Sequence, residues 1–176
     1  NNIKALNFFS DVKLDVFDNL EDNKKTINIT VIEKPTGEIM AGAGVGTNGG
    51  TVAFGVKENN FLGRGIEFAS DLTVSEKGLK GIVSLNNPNF KGSNRSLNAS
   101  LESTASDNLA DFGYKSNKTG FSIGSGFEFY DDLYWNRGIS AYVEKLDTDS
   151  SASANMKKQD GSYFDTFFNQ TFNYDK

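Results

Sequence analysis

Residues 66–74 read IEFASDLTV, and this segment gives the clearest indication of the fold. Apolar and polar side chains alternate along it. The apolar members are Ile66, Phe68, Leu72 and Val74, and the polar ones are Glu67, Asp71 and Thr73. Because successive side chains of a β-strand point to opposite faces, this alternation predicts a strand with one apolar face and one polar face.

The same alternation recurs in both directions along the chain from residue 37 onward. Its apolar positions are Ile39, Ala41, Ala43 and Val45; Val52, Phe54 and Val56; Leu79, Val83 and Leu85; Leu97, Ala99 and Leu101; Phe121, Ile123, Phe127 and Phe129; Ile139, Ala141 and Val143; and Phe164, Phe168 and Phe172. With the first segment they predict about eight strands. Several approach the ~9–11 residues that a tilted strand needs to cross a bilayer.

The predicted connections differ between the two ends of these strands. At one end, residues 47–50 and 76–78 form short hairpin turns, and residues 105–118 and 147–161 form long polar loops. At the other end lie compact turns, each with an aromatic residue, at residues 59–65, 87–94 and 130–135. Long loops on one rim and short turns on the other are typical of an outer-membrane barrel. A soluble β-sandwich or lipocalin-like barrel also has alternating strands and hairpins, so both folds stay open at this point.

The composition excludes several classes of function. The 176 residues include no Cys and no His, which removes thiolate metal sites, cysteine nucleophiles and the usual general base. A net charge of -5 argues against a nucleic-acid partner. With 37% hydrophobic residues, no run approaches the ~18 apolar residues of a membrane helix. We therefore expect neither an enzyme nor a cofactor or metal site.

The first 36 residues differ from the rest of the chain. Ile3, Leu6 and Phe9 recur at three-residue spacing and predict a helix up to residue 9. Two short strands follow, at residues 12–16 and 27–31. A helix end and a hairpin are half of a small α+β module, so we divide the chain into residues 1–36 and 37–176. The opening sequence is neither an initiator nor a signal peptide, and we expect the chain to begin and end within a longer protein.

Two smaller features need an interpretation. Residues 44–49 match the GxGxxG pattern of nucleotide-binding loops, but a strand-like run follows where that motif requires a helix. Glycines in a strand instead allow close approach of another backbone or weaken pairing. Arg64 lies in a turn between Gly63 and Gly65, where it is either a solvated side chain or an anchor at a membrane interface.

Five segments, in order, carry a resemblance to a known family. They are residues 3–12 (IKALNFFSDV), 31–37 (VIEKPTG), 42–46 (GAGVG), 58–65 (ENNFLGRG) and 87–90 (NPNF). Together they resemble the Omp85 family of outer-membrane proteins. The first resembles the helix-to-strand segment of a polypeptide-transport-associated (POTRA) domain. In the last, Asn89 replaces an aromatic residue that is usual in the family.

The resemblance implies a mainly β fold. It would be an antiparallel meander forming part of a transmembrane β-barrel, about eight of roughly sixteen strands. The helix-hairpin end of a periplasmic POTRA domain would precede it. The POTRA–barrel junction is implied at Glu33, Pro35, Thr36 and Gly37. The periplasmic turns are implied at Asn60, Phe61, Leu62, Gly63, Arg64 and Gly65, and at Asn87, Pro88 and Phe90.

The resemblance also implies a function in the outer membrane of a Gram-negative bacterium. Such a protein folds and inserts β-barrel proteins, and its first barrel strand acts as a lateral gate that pairs with the incoming chain. The gate strand contains Ile39, Gly42, Gly44, Val45 and Gly46. The implied partners are unfolded β-barrel clients, accessory lipoproteins and outer-membrane lipid. Alternatives are an Omp85-type polypeptide-secretion transporter, a TamA-like assembly factor and, more distantly, a soluble secreted β-sandwich that binds a ligand.

Overall fold

The computed structural model describes residues 7–19, 24–46 and 49–175 of the chain. Its internal contacts divide it into two compact units, Asn1–Gly37 and Glu38–Lys176.

The first unit contains an antiparallel hairpin. β1 (Phe9–Asn19) pairs with β2 (Lys24–Glu33), and the register places Leu14 opposite Ile29. The two strands predicted from the alternation are confirmed. The predicted helix is wrong at Phe9, which begins β1 and pairs with Glu33, because the backbone there is already extended. The helical positions Ile3 and Leu6 lie outside the described residues.

The second unit is one antiparallel sheet in which every strand neighbours the strand next to it in sequence. The strand order is β10-β9-β8-β7-β6-β5-β4-β3, so β3 and β10 are the two edges. The strands are β3 (Gly37–Gly46), β4 (Gly49–Phe61), β5 (Ile66–Ser75), β6 (Gly78–Asn87), β7 (Arg95–Asn108), β8 (Tyr114–Tyr130), β9 (Leu133–Thr148) and β10 (Gly161–Tyr174). The eight predicted strands and their meander are confirmed.

The two faces of this sheet differ in chemistry, as the alternation predicts. The register places Leu72 between Phe54 and Gly81, and it aligns Val83, Leu101, Phe121 and Ala141 in the adjacent row of the same face. Leu72 and Val74 are 44% and 45% exposed, and no large side chain of the described residues is fully buried. A β-sandwich would bury such a face against a second sheet. The sandwich alternative is therefore wrong for this chain.

The long connection predicted at residues 105–118 is largely wrong. β7 and β8 continue to pair there, with Ala105 opposite Asn117 and Asp107 opposite Lys115. A short helix, α1 (Leu109–Phe112), and Gly113 in the left-handed conformation are enough to join the strands. Both faces are polar in this region, so hydropathy no longer marks the strand while the backbone ladder persists.

The second predicted loop is confirmed in outline. It spans residues 149–160 and contains a single helical turn, α2 (Ala154–Lys157), whose Met156 N–H donates to Ser153 Oγ at 3.3 Å. Neither α1 nor α2 nor any other helix in the described part of the chain has the length and apolar character required to span a bilayer.

Candidate functional site

The edge strand β3 is the candidate site that the sequence singled out most specifically. Every residue from Gly37 to Gly46 is exposed, and Val45 is 93% exposed. A Cβ added at Gly42, Gly44 or Gly46 would have no heavy atom within 4 Å. The glycines therefore do not allow a close approach of another part of the described chain. What they provide is a strand with little side-chain cover over its backbone.

The nucleotide-binding interpretation does not apply to these glycines. β3 ends at Gly46 and the next strand, β4, begins at Gly49, while residues 47 and 48 lie outside the described residues. Gly49 has a φ of 89° and continues into a strand. A pyrophosphate site needs a helix N-terminus after the glycines.

The turn at residues 60–65 is closed by a side chain. The Gly63 N–H donates to Asn60 O at 2.9 Å, and the Gly65 N–H donates to Asn60 Oδ1 at 2.7 Å. Leu62, Gly63 and Gly65 all have positive φ values, which explains the two glycines. Phe61 stacks on Phe68 with ring centroids 5.3 Å apart, which fixes the turn to the start of β5.

Arg64 is brought into no cluster by this turn. Its side chain is exposed and forms no salt bridge with a residue that the structure describes. Leu62 is likewise exposed at the tip. The turn therefore presents an apolar and a basic side chain outward.

The second turn, at residues 88–94, shows why Asn89 is suited to its place. Asn89 Oδ1 accepts from the Asn94 N–H at 3.1 Å, and the Asn89 N–H donates to Asn87 Oδ1 at 3.1 Å. Phe90 begins a single 3-10 turn that ends at Gly92. The side-chain oxygen of Asn89 thus helps to close the turn, and sequence reasoning did not predict that role.

The predicted POTRA–barrel junction is a short extended connection. Glu33 ends β2, the Lys34 N–H donates to Phe8 O at 3.1 Å, and Lys34 Nζ donates to Asn7 Oδ1 at 2.6 Å. Pro35 and Thr36 follow, and Gly37 begins β3. These contacts fix the end of the hairpin within the first unit.

A row of aromatic side chains crosses the apolar face near the end of the sheet that carries the short turns. The register aligns Phe127 on β8, Trp135 on β9 and Phe172 on β10, and we call these three residues the aromatic row. Trp135 lies 5.6 Å from Phe127 and 5.7 Å from Phe172 between ring centroids. The indole Nε1 of Trp135 is buried and has no hydrogen-bond partner in the described structure.

The aromatic row was not predicted. Its members come from three strands, and only the register shows that they are neighbours. The signal available in the sequence was the spacing of Trp135 and Arg137. They are two residues apart, so they lie on the same face of the strand, and a cation beside a tryptophan on an apolar face is typical of a membrane interface.

On β9 the apolar face is bounded by charged side chains. Arg137 and Lys145 both lie on this face, and between them it carries Ile139, Ala141 and Val143. At ~3.3 Å per residue the strand covers about 26 Å from Arg137 to Lys145, which a tilt of ~40° reduces to roughly 20 Å. This is close to the ~25 Å apolar band of an outer-membrane barrel, and Trp135 follows Arg137 on the side of the short turns.

The opposite face of the sheet is polar. Ser100 and Ser122 form a hydrogen bond of 2.7 Å, and Lys118 Nζ lies 3.9 Å from Glu144 Oε2. Tyr142 packs over Gly120, and Lys118 lies 4.7 Å from the Tyr142 ring centroid. Among the described residues, no three His, Cys, Asp or Glu side chains are grouped so that they could hold a metal ion.

Outside the apolar band, the loop at residues 149–160 is held by two carboxylates. The Thr148 N–H and Oγ1 donate to Asp160 Oδ2 at 2.8 and 2.7 Å, and these hydrogen bonds lower the pKa of Asp160. The Ser151 side chain and N–H donate to Asp149 Oδ1, which lowers the pKa of Asp149. Hydrogen bonds to the charged form of a carboxyl stabilise that form, which is why the pKa of each of these two groups lies below its usual value.

Comparison with known proteins agrees with this geometry. The family model of the Omp85 superfamily domain matches residues 60–176. A search of curated protein sequences finds no match. Among solved structures, the crystal structure of BamA from Haemophilus ducreyi lacking POTRA domains 1-3 matches with a TM-score of 0.75 at 21% sequence identity.

That likeness extends over 99% of this chain, which in turn covers 37% of the BamA chain. The chain thus spans little more than a third of the solved structure it matches, and at 21% identity the likeness is one of fold. The family model covers well over half of the chain, and it begins within the turn whose motif carried the resemblance. The chain belongs to the Omp85 superfamily.

Proposed function

We propose that the protein folds and inserts β-barrel proteins into the outer membrane of a Gram-negative bacterium. It does so without a cofactor, by offering the edge of β3 as a template on which a client strand pairs. Membership of the Omp85 superfamily and the BamA-like fold support the general role. The templating step is our inference from the edge strand.

The observation that carries the proposal is the exposure of β3 at an edge of the sheet. It is an edge of the sheet and every one of its residues is exposed. Gly42, Gly44 and Gly46 add no side chain that would shield the backbone. Each backbone N–H or C=O group that is unpaired in hydrocarbon costs several kcal/mol. Pairing of a client strand with such an edge is therefore strongly favourable.

The apolar face supports placement in lipid. Phe54, Leu101, Phe121, Ile139 and Phe168 are all large, apolar and exposed on it. Exposure of such a face to water is unfavourable by about 25 cal/mol per Å² of apolar surface. Outer-membrane lipid is therefore a partner of the folded protein in this proposal.

We assign the first unit to the periplasm, as the end of a POTRA domain. In the register of its hairpin, Leu14 and Val16 lie opposite Ile29 and Ile27. All four side chains are exposed. This apolar face is the surface on which we place contacts with client chains or with accessory lipoproteins of the assembly machine.

The experiment is a folding assay with the full-length protein in liposomes. An unfolded outer-membrane protein is added, and its folding is followed by heat-modifiable gel mobility. Since the chain has no cysteine, Gly44→Cys introduces a single reactive position on β3. A client with a cysteine in its last strand should crosslink to it, and the crosslink should appear while folding proceeds.

Gly81→Cys is the matched control. Gly81 is a glycine in the interior strand β6, which pairs with β5 and β7 on its two sides. It should give no client crosslink. Equal crosslinking at both positions would contradict templating at β3. No acceleration of client folding, with passage of a polypeptide through the membrane instead, would favour the secretion transporter.

A further inference from the structure

Two arginines face the same aromatic ring on the apolar side of the sheet. Arg95 Cζ lies 5.4 Å from the Phe127 centroid, and Arg137 Cζ lies 5.7 Å from it. Arg137 also lies over Trp135, at 5.1 Å. We call these two arginines, together with the aromatic row, the arginine–aromatic patch.

The two positive charges have no counter-charge within the described chain. Neither guanidinium forms a salt bridge with any residue that the structure describes. Cation–π contacts compensate a guanidinium only in part. Both side chains are exposed, so an external anion has access to them.

Polar side chains extend the patch toward the apolar band. The register places Ser125 and Gln170 on the two sides of Arg137, one strand away in each direction. Cross-strand neighbours on one face lie within about 5.5 Å at Cβ, so the three side chains share one surface. Three adjacent hydrogen-bonding side chains at the margin of an apolar face indicate a polar ligand with an apolar remainder.

The patch lies at the end of the sheet that carries the short turns. Trp135 follows the turn at residues 131–132, whereas the long loop at residues 149–160 is at the other end of β9. If the proposed function is correct, on which this inference rests, the short turns face the periplasm. The patch is then at the level of the headgroups of the inner leaflet.

We propose that the arginine–aromatic patch binds an anionic glycerophospholipid. The phosphate lies between Arg95 and Arg137, while Ser125 and Gln170 hydrogen-bond the phosphate or the glycerol ester oxygens. The acyl chains then cover Ile139, Phe168 and the aromatic row. Guanidinium groups match phosphate oxygens in charge and in hydrogen-bond geometry.

The chain contains its own reporter for this site. Trp135 is its only tryptophan, and it lies in the patch. The protein is reconstituted in phosphatidylcholine nanodiscs that contain increasing fractions of either brominated phosphatidylglycerol or brominated phosphatidylcholine. Bromine quenches tryptophan on contact, so the two series compare occupancy of the site by each lipid.

We expect the anionic lipid to quench at a lower mole fraction than the zwitterionic one. At ~1 kcal/mol per arginine near the headgroups, the preference should be roughly fivefold for one arginine and about 25-fold for two. Arg95→Gln/Arg137→Gln should abolish the preference but leave quenching by phosphatidylcholine unchanged. Lys57→Gln/Lys80→Gln, which removes the same charge from the polar face, should retain the preference.

The outcomes separate this inference from the proposed function. Equal quenching by both lipids in the unmodified protein would overturn the phospholipid site, and it requires no variant to fold. Quenching by neither lipid would show that the face does not contact lipid, and the proposed function would fail with it. Persistence of the preference in Arg95→Gln/Arg137→Gln would also overturn the assignment.

Discussion

Gly120 and Tyr142 allow the packing of the sheet to be tested with a single methyl group. They are direct cross-strand neighbours on β8 and β9, and the Tyr142 ring covers the glycine. A Cβ at Gly120 would come within 2.8 Å of Tyr142 Cγ, and it would also collide with the carbonyl oxygen of Ala141. Because one of these obstacles is backbone, rotation of the tyrosine alone does not relieve the clash.

Gly120→Ala should therefore lower the free energy of unfolding by about 1–3 kcal/mol, the usual cost of overpacking. Gly81→Ala is the matched control, since its new Cβ would meet only Leu72 Cδ1 at 3.9 Å. Replacing a glycine at an unstrained position stabilises by about 0.4–1 kcal/mol through the unfolded chain. The two variants should thus differ by roughly 1.4–4 kcal/mol.

The assay is equilibrium unfolding in urea from lipid vesicles, with Trp135 fluorescence as the signal. Tyr142 also contacts Phe167 at 6.1 Å and Lys118 at 4.7 Å, so displacement of its ring disturbs three strands together. An unchanged urea midpoint for Gly120→Ala would refute the steric argument. So would a larger loss of stability in Gly81→Ala.

Three further predictions concern the turns and the long loop. Asn60→Ala should lower the free energy of unfolding by about 0.5–1.5 kcal/mol, because the hydrogen bond from the Gly65 N–H is lost. Asn60→Asp keeps an acceptor and should retain most of that stability in the same urea assay. Phe61→Ala and Phe68→Ala should show a coupling of about 0.5–1.5 kcal/mol in a double-mutant cycle, and additive effects would contradict the observed stack. Asp160→Asn should lower hydrogen-exchange protection of the Thr148 amide. Because the pKa of Asp160 is lowered from 3.8 in the folded loop, this protection should be complete above that value and be lost as pH falls through the lowered pKa.

The strands could be predicted from sequence wherever one face is apolar and the other polar. Residues 66–74 and 121–129 alternate clearly, and each lies within the strand expected of it. The alternation disappears in residues 103–108 and 114–118, where both faces carry polar side chains. Strand ends are determined there by backbone pairing, which leaves no hydropathy signal, so the strands were predicted too short.

The candidate site could be predicted only where it is local in sequence. The glycines of β3 and the turn around Asn60 are contiguous motifs, and sequence reasoning found them. The arginine–aromatic patch contains Arg95 and Phe172, which are far apart in the chain. They belong to one surface only because three successive strand pairings align their positions. Each register depends on the length of a turn, and the sequence predicts turn lengths only approximately.

The meander has a consequence for the order in which the sheet assembles. Each strand of the second unit pairs only with strands adjacent in sequence, so no step has to close a large loop. The connection between β8 and β9 has two residues and that between β9 and β10 has twelve, from the bounds Tyr130, Leu133, Thr148 and Gly161. At ~0.6 kcal/mol of loop-closure entropy per doubling of length, the second closure costs about 1.6 kcal/mol more. Addition of β10 is therefore entropically the most demanding step, and a sheet ending at β9 is the partly assembled form that should persist longest.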